Sequence, residues 1–377
     1  MSSKLLASLK LSQLKHAAFL TGLPSAGTKA DVTAVLESNI STRTPVQTST
    51  RIVSVDMGIR NLAYCVLDVP TPSLSHASST KPSPLKVLEW KRIDLLHPSA
   101  IEPQKPPTSS DTQVKHSTKK PAPIPASAFT PSNLSHTALS LSRTLLSHAP
   151  TTILIERQRF RSGGGPAIQE WTVRVNMLEA MLWACLTTLR QTSSLDRTLS
   201  RTEAGSGAGA GEFPAVFEVL PARVAGFWVG EPGVSLRMTA ETFTSPSLEG
   251  RRIDPGALTG VSSSSGRKRV QKKDKVAVVR SWLDENKGNG KGNGNGDGNP
   301  DVSLVFSGEA AKIAKAFAAP NGRSSSSRGT IEEGKGVMEE SEERMGKRDD
   351  LADCLLQAVA WVRWGENRDM LAMLLRS

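Results

Sequence analysis

Three segments of this chain place carboxylates where core packing has no use for them. Asp56 ends the apolar run of RIVSVDMGIRN, Glu156 ends that of TTILIERQRF, and KRDDLADCLLQAVAWV carries Asp349, Asp350 and Asp353. Residues 52–55 and 153–155 are short, β-branched runs of the kind found in strands buried on both faces. An acid directly after such a strand comes to the carboxyl edge of a sheet, where α/β folds hold their ligands. On a helix, Asp350 and Asp353 share a face, and so do Asp349 and Asp353. Like charges about 4 Å apart repel by roughly 4 kcal/mol at an effective dielectric near 20, so converging carboxylates call for a cation between them. Mg²⁺ or Mn²⁺ take oxygen ligands. Two such ions, roughly 3.5–4 Å apart, clamp the attacking and leaving oxygens of a phosphodiester. Metal-dependent phosphodiester cleavage is the chemistry these residues imply.

The elements around them have a definite order. Residues 51–56 and 61–69 read as two strands joined by the tight MGIR turn, and so as a hairpin. LKVLEWKRIDLL (85–96) is a third strand, and 132–148 is an amphipathic helix with Leu134, Leu139, Leu141 and Leu145 near its apolar face. A strand at 151–158, a long helix at 167–191, a strand opening at 215 and helices at 272–286 and 347–364 follow. The order βββαβαβαα is an RNase H-like α/β topology, an antiparallel meander extended by parallel strands. On the long helix Trp171, Val175, Leu178, Met181, Leu182 and Cys185 form the inward stripe. Low-complexity inserts rich in Ser, Pro, Gly and charge interrupt the fold near 70–84, 98–130, 192–212, 244–266, 287–300 and 319–346. Such segments bury too little apolar surface to fold. The 377 residues therefore hold a small module at 1–44 and one catalytic domain at 50–377.

A net charge of +11 favours a polyanionic partner. The three cysteines, Cys65, Cys185 and Cys354, lie in apolar stretches without C-x-x-C spacing and read as reduced thiols rather than zinc ligands or disulfides. All six histidines fall outside the acidic motifs, which argues against a histidine-based nuclease or a Ser–His hydrolase. No apolar run approaches 18 residues, so no membrane span is expected.

In the first 42 residues, LASLKLSQLKHAAFLTGL has helical periodicity, LPSAGTK makes a turn, and KADVTAVLESNI starts a second helix. The turn, with Gly22, Leu23, Pro24, Gly27, Thr28 and Lys29, resembles that of SAP-type DNA-binding motifs, which makes Lys29 a candidate DNA contact. The same stretch has no acid before Asp31 and several lysines, a pattern also compatible with a mitochondrial presequence.

The segments around Asp56-Met57-Gly58, Glu156-Arg157-Gln158 and Asp350-Leu351-Ala352-Asp353 together resemble RuvC-type Holliday junction resolvases, most closely the fungal mitochondrial members. That resemblance implies that Asp56, Glu156, Asp350 and Asp353 coordinate two Mg²⁺ ions, with Mn²⁺ able to substitute. Asp349 competes with Asp350 for the first ligand position, and the three-residue spacing of the family favours Asp350. The implied substrate is a four-way DNA junction, nicked symmetrically in mitochondrial recombination. The implied assembly is a homodimer built on the long helix, to which Met177 and Trp183 contribute. Arg157, Arg159 and Arg161 leave the acidic edge with Phe160 among them, as candidate phosphate contacts and a stacking wedge. Lys272, Lys273 and Lys275 in RKRVQKKDK are further DNA candidates.

Three rivals are weighed against this. Actin and sugar-kinase ATPases also open on a strand and a D-x-G turn, but a second D-x-G after a strand is missing. A non-catalytic RNase H-like nucleic-acid binder, like the mitochondrial splicing factor that the resolvases resemble, has no need of a full acidic set. Ribonuclease H activity uses the same fold but explains the D-x-x-D spacing less well.

Overall fold

A computed structural model of the chain describes residues 2–41, 50–70, 84–96, 125–158, 169–203, 212–229, 236–239, 270–285, 302–319 and 348–376. The apolar runs of the sequence become a sheet. Strand β1 (Thr50–Asp56) pairs antiparallel with β2 (Leu62–Val69), Val53 facing Val66 and Asp56 facing Ala63. Strand β3 (Leu85–Ile93) continues the meander, with a register shift between Val66 and Leu67. On the other side of β1, β4 (Thr152–Glu156) and β5 (Ala215–Val219) run parallel to it. The short β6 (Leu304–Phe306) lies parallel to β3 at the far edge, giving the order β5-β4-β1-β2-β3-β6. The first five strands make the RNase H-like arrangement expected from the sequence.

Side chains alternate across a pleated strand, and both faces of this sheet are covered. Val53, Val55, Tyr64, Val66, Ile153 and Ile155 point to one face, where α4 (Pro131–Ser147) and α5 (Glu170–Glu203) pack. Thr130 caps α4 through the Asn133 N–H, and Pro131 starts the helix at a position that needs no amide hydrogen. Ile52, Cys65, Leu67, Val87, Trp90, Leu154 and Val219 point to the other face. Here lie α6 (Pro221–Trp228), α7 (Lys272–Glu285), α8 (Gly308–Ala318) and α9 (Arg348–Leu374).

Helix α9 crosses β1 and β2 and is buried on most sides, which is why LADCLLQAVAWV is apolar all round. Four polar contacts fix its position. The Trp90 and Trp228 indoles donate to the carbonyls of Leu351 (2.8 Å) and Leu356 (2.9 Å), and Cys65 Sγ lies 3.3 Å from the Cys354 carbonyl. Gln357, buried one turn beyond Asp353, donates to the Val55 carbonyl at 3.4 Å.

The N-terminal residues form α1 (Ser2–Ser8), α2 (Leu11–Leu20) and α3 (Lys29–Ser41), so the first expected helix is broken near Leu9 and Lys10. They pack against α9, and Leu6, Leu14, Leu20 and Leu36 belong to the same apolar core as the sheet. The α2–α3 turn is tied down by its carbonyls. Leu20 accepts from Asn367 (2.7 Å), Thr21 from Arg368 (2.8 Å) and Gly22 from Arg223 (2.7 Å).

Several expectations need correction. The element order from β1 onward is βββαβαβααβαα, because α6, β6 and α8 are additional. Residues 192–203, placed in an insert on composition, continue α5, and Ala126–Phe129 form a 3-10 turn inside the insert drawn at 98–130. Trp171 is 40% exposed rather than inward, and the buried stripe of α5 is Val175, Leu178, Leu182 and Leu186. Leu139 likewise leaves the stripe of α4 to Leu134, Ala138, Leu141 and Leu145. The remaining insert segments lie largely outside the described residues. All three cysteines are free, Cys65 and Cys354 buried and Cys185 half-buried. Among the described residues no helix is long and apolar enough to cross a membrane.

Candidate metal centre

Pleat parity puts the first two carboxylates together. Ile52 and Leu154 face α9, so Asp56 and Glu156, at even spacing from them, face α9 as well. The parallel register pairs Val55 with Ile155, and the two acids are the next residues of adjacent strands. Asp353 comes down from the second turn of α9. Carboxylate oxygens of Asp56, Glu156 and Asp353 lie within 4.8 Å of one another. Asp56 is 9% exposed, and Glu156 and Asp353 are half-buried.

The electrostatics of the group follow from that geometry. Burial pushes the Asp56 carboxyl well above the usual carboxylate range, and the charges of Glu156, Asp353 and Asp350 push it further. A hydrogen bond to Glu156 adds to the shift. Burial also raises Asp353, against the pull of Lys275, whose ammonium is paired with its Oδ2. The donors are all hard carboxylate oxygens converging on one point, and the repulsion is what a divalent oxygen-loving cation relieves. The residues therefore fit such an ion.

The other acids of the third motif separate. Asp350 is near enough for its charge to act on Asp56. Asp349 turns to Lys272, and despite the opposing effect of burial that pair holds its carboxyl below the ordinary value. Both acids also sit in the first turn of α9, where the helix dipole favours negative charge.

The basic candidates scatter. Arg157 forms an ion pair with Glu218 of β5 at 3.3 Å. Arg159, Phe160 and Arg161 lie outside the described residues. Lys272 and Lys275 face the acids of α9, whereas Lys273 is exposed. Lys29 donates to the Ala7 carbonyl at 2.7 Å, closing the end of α1.

Two residues at the site were not anticipated. Glu179 of α5 accepts the Gln158 N–H at 3.1 Å, just past Glu156, and burial raises its carboxyl. Gln357 links α9 to the end of β1. A carboxylate four positions past Val175 and a carboxamide four past Asp353 are the only sequence signals for them, and neither speaks before the packing is known.

Comparisons with known proteins bear on the family of the chain. A family model described as "Mitochondrial resolvase Ydc2 / RNA splicing MRS1" matches residues 52–371. "Cruciform cutting endonuclease 1, mitochondrial" of Schizosaccharomyces pombe is 31% identical over 180 residues, 48% of this chain and 56% of the relative. The chain thus spans little more than half the length of that relative. A Thermus thermophilus RuvC structure aligns over 51% of this chain and 75% of its own, with 12% identity and a TM-score of 0.24, too low to carry the fold, which rests on the strand order. With the family model covering the sheet from Ile52 onward and all three acidic segments, this chain belongs to the family of mitochondrial resolvase Ydc2 and RNA splicing MRS1.

Proposed function

We propose that this protein is a metal-dependent, structure-selective endonuclease that resolves four-way DNA junctions by paired symmetric nicks in mitochondria. The observation that carries the reading is the convergence of Asp56, Glu156 and Asp353 in a chain of this family. The relative's name, a mitochondrial cruciform cutting endonuclease, supports both substrate and compartment. The family also takes in RNA splicing proteins; a site kept for RNA binding alone has no need of a buried, mutually repelling acid group.

Bound Mg²⁺, or Mn²⁺ in its place, supplies an activated water and neutralises charge on the leaving oxygen. The chain's own residues do the rest. Asp56, Glu156 and Asp353, with Asp350 beside them, hold the cations, and Gln357 keeps the helix acids in register with the strand acids. Lys272, Lys273 and Lys275, with Arg157 and the segment through Arg159, Phe160 and Arg161, meet phosphates and bases at the junction centre. Lys29 extends the basic surface. Two sites acting on strands of like polarity call for an isologous dimer, built on α5 with Met177 and Trp183.

Cleavage of a synthetic four-way junction in Mg²⁺, with the Asp56→Asn variant alongside, tests the reading. Symmetric nicks in the junction alone, lost in the variant, are expected. Tight junction binding without a cut overturns the nuclease assignment, and cutting of an RNA–DNA hybrid replaces it with a ribonuclease.

A further inference from the structure

The two lysines of α7 that meet α9 are not equivalent. Helix α7 starts at Lys272, and the Asp274 carboxylate accepts the Gln271 N–H at 2.8 Å to fix its first turn. Lys272, Lys275, Val279 and Trp282 recur at helical spacing and share one stripe. Val279 and Trp282 are fully buried, with Trp282 packed edge-on against Trp228 at 4.9 Å, so the stripe is held toward α9. The two helix starts lie side by side. Lys272 pairs with Asp349, and Lys275 pairs with Asp353. Only the second pair touches the metal centre, because Asp353 belongs to the converging trio and Asp349 does not.

An ammonium on Asp353 Oδ2 competes with a cation for that carboxylate, and the two positive charges repel. Lys275 is 18% exposed along its side chain and sits on a flexible four-carbon stem, able to turn from carboxylate to phosphate. We propose that Lys275 gates the metal centre: it occupies Asp353 in the DNA-free protein and passes to a backbone phosphate when a junction docks. This rests on the resolvase reading. DNA and cation then bind with positive coupling, since each removes what obstructs the other, and linkage makes the effect reciprocal. A nuclease built this way loads its cation fully only on its substrate.

The test is Mn²⁺ binding to the full-length protein without DNA, followed by electron paramagnetic resonance of the free ion. Lys275→Met and Lys275→Gln are expected to bind Mn²⁺ about tenfold more tightly than the native protein, the order of effect for a partly exposed ion pair removed from a charged site. Lys275→Arg keeps native affinity, and Lys272→Met stays within about threefold, because its pair lies outside the trio. In EDTA, Lys275→Met weakens junction binding and lowers the slope of log affinity against log salt by about one. If Asp56→Asn abolishes Mn²⁺ binding while neither Lys275 variant gains affinity, the gate is wrong and the metal centre stands. Should Asp56→Asn bind Mn²⁺ like the native protein, the metal centre fails and the gate with it.

Discussion

Gly22 lies flat against the indole of Trp364, so close that a Cβ at this position would fall 2.2 Å from Trp364 Cδ2. Its φ of +70° is also one that side chains rarely adopt. The contact joins the N-terminal turn to the helix that carries Asp353, with Asn367, Arg368 and Arg223 holding the neighbouring carbonyls. Gly22→Ala meets both the clash and the backbone strain, and together these cost about 2–5 kcal/mol. Chemical denaturation should show that loss, and a change below about 0.5 kcal/mol would contradict the docking.

Asp56, whose carboxyl burial and the neighbouring acids push upward, is expected to lower the stability of the cation-free protein at neutral pH. A folded-state pKa above the unfolded one means that folding takes up a proton. The stability from that proton is present below the unfolded pKa and is lost as pH rises through the folded value. Asn carries no charge, so Asp56→Asn in EDTA should melt a few degrees higher than the native protein, about 2–4 °C for a chain of this size. Adding Mn²⁺ should raise the native melting temperature and leave the variant unmoved. Scanning calorimetry in both buffers reads the two effects.

Asp349 and Asp350 are adjacent, yet their surroundings differ. Asp350 acts on the buried Asp56, while Asp349 is neutralised by Lys272. Asp350→Asn is expected to lower junction cleavage by about tenfold or more, and Asp349→Asn by no more than about threefold. Single-turnover rates decide it, and the reverse order would hand the ligand role to Asp349.

His148 is expected to give a pH dependence away from the acidic group. Burial lowers its pKa, opposed by Glu89 at 3.8 Å, and its ring packs beside Tyr64. With the folded value below the unfolded one, the unfolded chain binds more protons in the window beneath about pH 6.5. Stability therefore falls as pH drops through that window. Burial raises the Glu89 carboxyl, but Lys91, His148 and the Tyr64 hydroxyl together lower it further, so Glu89 adds a second loss below its unfolded value. His148→Gln should flatten the decline between pH 7.5 and 5.5 in urea titrations, and an unchanged slope would remove His148 from the account.

The strands around the acidic group were legible because buried parallel strands and their terminal acids leave an unmistakable pattern in residues 52–56 and 153–156. Gly308–Ala318 were not, although Ala310, Ala314 and Phe317 have helical spacing, because the three-residue strand before them is too short to register and a low-complexity stretch follows. The pairing of Lys275 with Asp353 could not be read at all. It depends on α7 and α9 starting level, a relationship set by Trp282 and Trp228 deep in the core. The hydrogen bond from Lys29 to the Ala7 carbonyl was equally hidden, because it depends on how α1 packs against α3.

The carboxylates come from the ends of two strands and the start of the last helix, segments far apart along the chain and brought together only by the finished sheet. Contacts of such long sequence separation form late, after the loops between them have closed. A half-folded or truncated chain consequently has no competent centre, whatever acids it contains. On the proposed nuclease reading, folding itself is the safety catch: the acidic group that would cut DNA is complete only at the end of the chain's own assembly.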